Sequence, residues 1–528
     1  MVILFKNWHI LILVAVLCSV FLIGCKSNNA VKPTVSTEIG DIGDTGGLSL
    51  PLTKTPQDIT IFMDCEFPNR AESLAVKELS RRTGINIKIM EVPQASIAEK
   101  AKVVIASGNM PDIMTTLPTL AEVNDFGMQG AFVAVNEYIN ELPNLKRIFF
   151  DDENNNWVLK SCVASDGKLY YWPRYECVRP VNHGFLYRKD IFEKHGIKEW
   201  NNKEEFYSAL KKLKELYPDS LPYTSKTKEK IFQDWSISWG MSAPNPYYDE
   251  NEGKWKLSST DQKFKEMLDF MKKLYAEGLI DPEFLTDTQA SWISKMVQPN
   301  KTFTTFDWIS RMDSLYEMAK ETNPEYNLRF AKPIGPTGNV ITTSNVGIGY
   351  GLMVANKKNA LLSLKLLDYL ASPSGAELMT LGIEGQTYEK VDDNKVKYLG
   401  FPDDKLLSIT DLAEKYGLFL TGGYVRMDKK SLYFKYTEKE KEAQDIIMSE
   451  NRFEPLDHVL PFNKEERAVV NENLQRLVTA ANEFAINYVL KENYSDADWE
   501  KWLQKAKELG EDKLIQVYND AQKKFDSN

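Results

Sequence analysis

The chain has 528 residues, of which 43% are hydrophobic and 27% are charged, and its formal net charge is −10. Because this length exceeds what one hydrophobic core accommodates, we expect two domains or a bilobed body. An acidic chain of ordinary hydrophobic content is not typical of nucleic-acid binders, of disordered proteins, or of proteins whose general surface charge binds anionic lipid.

The first 24 residues have the layout of a secretory signal. Lys6 supplies positive charge, and an apolar run of about 14 residues extends from Ile10 to Ile23. A bilayer-spanning helix needs about 20 apolar residues, so cleavage is favoured over spanning. The segment Leu22-Ile23-Gly24-Cys25 resembles the lipobox of bacterial lipoproteins, which implies lipid on the sulfur of Cys25 and removal of residues 1–24. The alternative is an uncleaved anchor with an incidental cysteine.

Residues 25–56 are rich in Ser, Thr, Asn, Gly and Pro and poor in large apolar side chains. Such a composition cannot bury enough surface to become ordered, so we predict a flexible tether. About 30 residues of flexible chain have a mean reach near 30 Å. Because the acidic body is poorly suited to binding anionic lipid, membrane contact is assigned to the lipid on Cys25.

Strand and helix patterns alternate where the body of the protein begins. They predict strands at 58–63, 85–92 and 112–114 and helices at 69–83 and 95–107. This alternation favours a parallel sheet with covered faces. Ligands of such sheets bind beyond the carboxyl ends of the strands, which makes Glu66 and Asp112 candidate site residues. The alternative for Asp112 is that it caps a local turn.

The later patterns predict further elements in the same style. A strand-like crossing is expected at 184–191 and a second between Gly335 and Gly351. A strand is expected at 302–306, and helices at 201–216, 261–277, 358–371, 464–491 and 496–525.

Cysteine and metal-ligand patterns are sparse. The five cysteines are Cys18, Cys25, Cys65, Cys162 and Cys177. A Cys162–Cys177 disulfide is possible, but the sequence does not decide it. No Cys/His cluster has zinc spacing, and the acidic segment 151–156 lacks the glycine and spacing of a calcium loop. We therefore expect neither a metal nor a cofactor.

Several short motifs follow one another in a characteristic order. They are Gly108–Asp112, Tyr187–Asp190, Phe192–Gly196, Tyr275–Phe284, Phe306–Trp308, Ser372–Gly375, Gly382–Gly385 with Tyr388, and Asp498-Trp499. Together they resemble the extracellular solute-binding proteins, family 1, of carbohydrate-importing ABC transporters, and within these the long lipoproteins of the LipO type. No motif is specific alone; their shared order covers nearly the whole mature chain.

The resemblance implies a periplasmic-binding-protein-like α/β fold of two lobes. Each lobe would be a mostly parallel sheet flanked by helices, joined by crossing hinge strands that close on a solute. Lobe one is expected at 57–181 and 332–385, and lobe two at 182–331 and 386–528. The segment Tyr217–Tyr223 is too short and too poor in carboxylates for the calcium loop of alginate-oligosaccharide binders.

The resemblance also implies a function and partners. A monomer, anchored at the outer face of the cell membrane through Cys25, would bind a carbohydrate, most simply an oligosaccharide, and deliver it to ABC permease subunits. The acidic body favours neutral or cationic solutes and no nucleic acid. A glycan-active enzyme, a solute sensor or adhesin, and a binder of another solute such as a peptide remain alternatives. No Gly-x-Ser-x-Gly, HExxH or P-loop pattern supports the enzyme.

Sugar sites need aromatic platforms beside carboxylates, amides and arginines. Position relative to the expected cleft selects ten candidates: Trp172, Arg174, Trp235, Trp239, Asp307, Trp308, Glu384, Tyr388, Glu66 and Asp112. Trp172 and Arg174 are the leading stacker and polar partner, because they precede the first crossing. The alternative is that Trp172 packs on the sheet. Trp235 and Trp239 share a helical face, and such a stripe is more often part of a core than of a site.

Overall fold

The fold was obtained as a computed structural model, which describes residues 41–64, 67, 69–117, 119–176, 179, 181–339, 346–392, 395–403, 405–454 and 457–527. Its strands are β1 (Gln57–Asp64), β2 (Ile85–Val92), β3 (Ile113–Met114), β4 (Trp172–Tyr175), β5 (His183–Arg188), β6 (Leu221–Tyr223), β7 (Pro246–Asp249), β8 (Lys254–Leu257), β9 (Thr302–Trp308), β10 (Leu328–Ala331), β11 (Val346–Val354), β12 (Tyr388–Asp392) and β13 (Lys395–Tyr398).

The helices surround these strands. They are α1 (Leu74–Thr83), α2 (Ile97–Ala106), α3 (Leu120–Met128), α4 (Pro143–Leu145), α5 (Trp157–Cys162), α6 (Lys189–Lys194), α7 (Lys203–Leu216), α8 (Ile231–Ser236), α9 (Gln262–Ala276), α10 (Gln289–Val297), α11 (Arg311–Ala319), α12 (Ala360–Ala371), α13 (Pro373–Thr380), α14 (Ile409–Tyr416), α15 (Lys429–Tyr433), α16 (Glu438–Glu450), α17 (Lys464–Leu490), α18 (Asp496–Glu508) and α19 (Glu511–Ser527).

Two larger sheets stand at the centres of two lobes. The lobe-one sheet has the order β2-β1-β3-β11-β4, and the lobe-two sheet has the order β10-β5-β9-β6. β1 is parallel to β2 and β3, as the alternating pattern predicts. β11 is antiparallel to β3, and β5 is antiparallel to β9 and β10. Both sheets are thus mixed rather than mostly parallel, because β11 is also antiparallel to β4 in lobe one, and only β6 and β9 are a parallel pair in the lobe-two sheet.

Each sheet carries its own hydrophobic core. Ile59, Trp172 and Val354 belong to the core of lobe one, and Phe185 and Leu213 belong to the core of lobe two. The chain passes from one set of core residues to the other in three places, namely between Trp172 and Val181, between Ile334 and Leu352, and between Tyr436 and Ala443. With three passages between two separate cores, the fold has the two lobes that the resemblance implies.

The expected lobe boundaries remain a prediction. The core of lobe one includes buried residues from Tyr388 to Tyr436, which lie within the 386–528 segment that the sequence assigned to lobe two. Ala443 and Ile447, in contrast, pack with lobe-two residues. Core membership therefore favours a boundary soon after Tyr436.

Residues 42–52, which we call the N-terminal strap, lie against lobe one. The N–H of Leu52 donates to the carbonyl of Thr83 at 2.9 Å, and the N–H of Ser374 donates to that of Asp44 at 2.9 Å. Three leucines of the strap pack against the core: Leu48, Leu50 and Leu52. These contacts shorten the predicted tether of 25–56 at its C-terminal end, because three leucines supply apolar surface that its overall composition conceals.

Several sequence predictions fall on residues that the structure does not describe. The predicted signal 1–24 and Cys25 lie outside the described residues. Cys177 does too, whereas Cys162 is a buried free thiol whose pKa is raised by burial. Among the described helices, none is long and apolar enough to cross a bilayer.

The C-terminal region departs from its predicted pattern at one glycine. Instead of one helix at 496–525, the chain forms α18 and α19, separated at Gly510. The backbone φ of Gly510 is 97°, in the region that disfavours residues with a Cβ atom. The predicted helix is thus confirmed on both sides of Gly510, and the chain breaks the helix at Gly510 itself.

Helix α16 holds the first crossing between the lobes. The side chain of Gln444 accepts the N–H of Val181 at 2.8 Å and donates to the carbonyl of Val181 at 2.7 Å. Arg179 donates to Glu440 at 2.8 Å. The side-chain amide of Gln444 therefore makes the two hydrogen bonds to Val181 that the backbone of a neighbouring strand would make. These bonds hold the crossing against α16.

Candidate functional site

A cavity of about 470 Å³ lies between the two lobes, and we call it the interlobe cavity. Lobe two and the first crossing contribute Arg179, Asn182, Trp308, Ser310, Arg311, Asp313 and Ser314. The facing wall comes from Leu406, Leu407, Ser408, Ile409, Leu412, Leu420, Tyr424, Met427 and Leu432, and Lys435, Thr437 and Glu440 complete the lining. Its size is within the range of small-molecule sites.

Trp308 is the aromatic platform on the lobe-two wall. It is the last residue of β9, and its side chain is 45% exposed. The ring of His183, its cross-strand partner, lies 4.0 Å from the indole between centroids. Burial lowers the pKa of His183, so the imidazole is uncharged at neutral pH. Trp308 is therefore supported from beneath while its outer surface remains open to the cavity.

Asp307 is buried next to this platform and binds protein groups. Its carboxylate forms an ion pair with Lys226, accepts the N–H of Trp308 at 2.7 Å, and lies 3.6 Å from Nε of Arg311. Burial lowers the pKa of Lys226, and the nearby Asp307 opposes that shift. Asp307 thus positions Trp308 and Arg311, and those two side chains are the ones that line the cavity.

Tyr424 stands on the lobe-one wall. The guanidinium carbon of Arg174 lies 4.2 Å from the centre of the Tyr424 ring, and Arg174 donates to the carbonyl of Thr115 at 3.4 Å. A Cβ atom on Gly422 would lie 2.2 Å from Oδ1 of Asp64. Because Gly422 has no side chain, the loop that carries Gly422 and Tyr424 can pack closely against the carboxyl ends of β1 and β3, where the sequence predicts the cleft.

The charged groups of the cavity do not balance. Glu440 is paired with Arg179, and Asp313 accepts the Thr437 hydroxyl at 2.6 Å and lies 3.6 Å from Lys439. The nearest carboxylate to Arg311, that of Asp307, is already paired with Lys226, and Lys435 donates to the carbonyl of Thr380. Burial, with a smaller contribution from Arg179, lowers the pKa of Lys435 to about 7, so this side chain is only partly charged at neutral pH. Arg311 therefore adds positive charge beside a carboxylate that Lys226 already neutralises, although the whole chain is acidic.

Two other cavities suit a solute less well. One of about 350 Å³ is lined by lobe-two residues and by Thr337 and Asn339 of the second crossing. A groove of about 980 Å³ is crossed by an ion pair between Asp125 and Arg467 at 3.5 Å. Of these three cavities, the interlobe cavity is the one that presents an exposed tryptophan and a tyrosine from opposite lobes.

Of the predicted site residues, Trp308 lines the interlobe cavity, and Asp307 and Arg174 support its walls. Four aromatic candidates are instead buried in the lobe cores: Trp172, Trp235, Trp239 and Tyr388. The indole of Trp235, for instance, donates to the hydroxyl of Tyr223 at 2.8 Å. These four rings have no open face for a ligand in this structure.

The remaining candidates are also remote from the interlobe cavity or undescribed. Asp112 accepts the N–H of Thr60 at 2.9 Å and so joins β1 to the segment before β3. Glu384 is paired with Lys390 at 2.9 Å on the surface. Glu66 lies outside the described residues. The binding roles of all ten candidates stay predictions.

Sequence reasoning missed most of the cavity lining. Arg311 follows Trp308 by three residues, so its nearness to the motif Phe306–Trp308 was the one signal in the sequence that could have identified it as a lining residue. Arg179 lies at the first crossing, which was recognised as the edge of the cleft. The aliphatic residues of 406–432 gave no signal, because a leucine in a site and a leucine in a core look alike in a sequence.

Comparison with known proteins identifies the family and the fold. A sequence profile of the bacterial extracellular solute-binding proteins matches residues 75–385. Lipoprotein LipO of Bacillus subtilis is 27% identical over 340 residues, which are 61% of this chain and 65% of LipO, slightly less than two thirds of that relative. The polygalacturonan/rhamnogalacturonan-binding protein YtcQ of the same organism is 22% identical over 85% of this chain and 87% of its own.

Solved structures share the fold. The substrate-binding protein FusA of Streptococcus pneumoniae, in complex with kestose, superposes with a TM-score of 0.64 at 20% identity. The superposition covers 90% of this chain and 99% of FusA. At this level of identity the likeness concerns the two-lobed α/β fold.

Proposed function

The chain belongs to the bacterial extracellular solute-binding proteins, and we propose that it captures a carbohydrate in the interlobe cavity and delivers it to the permease of an ABC importer. Members of this family bind solutes and are not enzymes. The relatives named for a ligand bind polygalacturonan and rhamnogalacturonan, fructooligosaccharide, or melibiose, raffinose and stachyose, which favours an oligosaccharide over a peptide.

The observation that carries the proposal is the pair of aromatic rings on opposite lobes. Trp308 and Tyr424 line one cavity from lobe two and lobe one, respectively. Sugar rings present flat C–H faces that stack on such platforms, and Asn182, Ser310 and Ser314 supply hydroxyl and amide partners beside them. A solute bound there would contact both lobes and favour their closure.

Titration calorimetry with oligosaccharides tests binding. Galacturonan, rhamnogalacturonan and fructan tetrasaccharides are titrated into the purified mature protein, and the sugars are recovered and analysed by chromatography. At least one sugar should bind and be recovered intact. Recovery of cleaved sugar would contradict a pure binding role, and heats seen only with peptides would contradict the carbohydrate ligand.

We further propose that lipid on Cys25 retains the protein, as a monomer, at the outer face of the membrane beside its permease. The reasons are the signal layout of residues 1–24 and the lipobox-like segment that ends at Cys25. A Cys25→Ser protein should bind sugar with unchanged affinity and be found in the medium instead of the membrane fraction. Membrane retention of the Cys25→Ser protein would mean that the signal is not cleaved and acts as the anchor.

A further inference from the structure

The lobe-one wall of the interlobe cavity is mostly aliphatic. Six of its side chains are Leu406, Ile409, Leu412, Leu420, Met427 and Leu432. Leu406 and Ile409, at the start of α14, are 46% and 37% exposed. Aliphatic side chains offer no partner to hydroxyl groups, but they gain from contact with apolar ligand groups that leave water. This wall is suited to a ligand that has an apolar part.

The facing wall has the opposite character. Arg311 lies next to the Trp308 platform, and its nearest carboxylate, that of Asp307, is already ion-paired with Lys226. Nε of Arg311 is buried and makes no hydrogen bond with any described residue. The guanidinium group of an arginine is complementary to a carboxylate.

We propose that the interlobe cavity binds an acidic oligosaccharide that carries a small apolar substituent, either on the acidic unit or on the unit next to it. The carboxylate lies towards Arg311, and the methyl group of the substituent lies towards Leu406 and Ile409. An O-acetyl group and the C6 methyl of a 6-deoxy sugar supply the same apolar chemistry. This inference rests on the carbohydrate-binding function proposed above and specifies the class of carbohydrate.

Calorimetry with four tetrasaccharides tests the inference. They are unsubstituted homogalacturonan, O-acetylated homogalacturonan, rhamnogalacturonan, which contains the 6-deoxy sugar rhamnose, and the neutral sugar stachyose. Each methyl-bearing acidic sugar should bind about fourfold more tightly than unsubstituted homogalacturonan. That ratio corresponds to about 0.8 kcal/mol per buried methyl group, at about 1.4 kcal/mol per tenfold. Stachyose should bind most weakly.

Two variants locate the two recognition elements. Leu406→Ser combined with Ile409→Ser should bring the fourfold ratio close to one, because the apolar contact is removed. Arg311→Gln should weaken binding of all three acidic sugars at least tenfold relative to stachyose. Leu361→Ser is the matched control, since Leu361 is a leucine of similar exposure, 37%, on helix α12. It should preserve the ratio, and thermal midpoints should verify that each variant is folded.

The outcomes separate this inference from the proposed function. Equal affinity for substituted and unsubstituted galacturonan, or tightest binding of stachyose, overturns the inference and leaves carbohydrate binding intact. If the fourfold ratio of affinities persists in the Leu406→Ser/Ile409→Ser protein, the assignment of the apolar contact to Leu406 and Ile409 is overturned. A preference limited to the acetylated or to the rhamnose-containing sugar supports the inference and identifies the source of the methyl group. Absence of binding by every oligosaccharide overturns both proposals.

Discussion

Trp172 and Trp308 both lie on strands that border the cleft, but their surroundings differ. Trp172 is fully buried in the lobe-one core, and Trp308 is 45% exposed. Trp172→Ala should lower the free energy of unfolding by about 3–5 kcal/mol, as expected for a deleted core aromatic. Trp308→Ala should change it by less than about 1 kcal/mol. Urea denaturation measures both values, and a stable Trp172→Ala protein would show that this indole is not part of the core.

The buried candidates also show what the sequence could not predict at this scale. Trp308, selected by the motif Phe306–Trp308, lines the interlobe cavity, and Arg174, selected by its position before the first crossing, contacts the lining residue Tyr424. Whether a given aromatic ring faces the cleft or the core depends on which distant segment covers it. Residues 406–436, which complete lobe one, are more than 200 residues away from Trp172, and no local pattern reveals that contact.

Asp234 makes a pH-dependent contribution to stability. Its carboxylate accepts the Thr227 hydroxyl at 2.9 Å, and burial raises its pKa to about 6. The folded state therefore binds more protons than the unfolded state between pH 3.8 and 6, so stability from this group falls as pH rises through that window.

Comparison with Asp234→Asn tests that contribution. The variant should have about the stability of the parent at pH 4 and become more stable by pH 7, by at most about 3 kcal/mol at 1.36 kcal/mol per pKa unit. Calorimetric unfolding at pH 4, 5, 6 and 7 measures the difference. A difference that is constant over this range would mean that the carboxylate of Asp234 has an ordinary pKa.

At the scale of elements, the sequence predicted much of the framework. Strand β2 has the predicted bounds, and α7 and α9 begin one residue after the caps Asn202 and Asp261. These elements are predictable because their periodicity and caps are local. The antiparallel strands of lobe two are not, because their direction depends on how the chain returns through the crossings. The N-terminal strap was not predicted for a similar reason, since its leucines become buried only by packing against lobe one.

Gln444 on α16 should be important for stability because both hydrogen bonds of its amide go to the buried backbone of Val181. Gln444→Leu would leave a buried N–H and a buried carbonyl without partners, at a cost of about 2–4 kcal/mol of unfolding free energy. Gln475→Leu, on the exposed face of α17, is the matched control and should change stability by less than about 0.5 kcal/mol. Equal denaturation midpoints for the two variants would show that water replaces the Gln444 amide.

For the whole molecule, the net charge and the charges that line the interlobe cavity favour different ligands. The chain carries a net charge of −10, which favours neutral or cationic solutes, whereas Arg311 adds positive charge to the lining of the interlobe cavity. Salt screens exposed charges beyond about 8 Å at physiological ionic strength. A ligand held in the cavity therefore responds mainly to the groups that line it. The arrangement of two lobes was predictable from the order of motifs, but the local charge required the three-dimensional structure.

The central claim is that a carbohydrate binds between the two lobes at Trp308. The most direct test is the thermal midpoint of the wild-type and Trp308→Ala proteins with a panel of oligosaccharides and peptides. At 100 times its dissociation constant, a sugar should stabilise the wild-type protein by about 2.7 kcal/mol. A sugar should raise the midpoint of the wild-type protein, and most of that rise should be lost in Trp308→Ala. A rise produced by peptides alone, or a sugar-induced rise of equal size in Trp308→Ala, would contradict carbohydrate binding at Trp308.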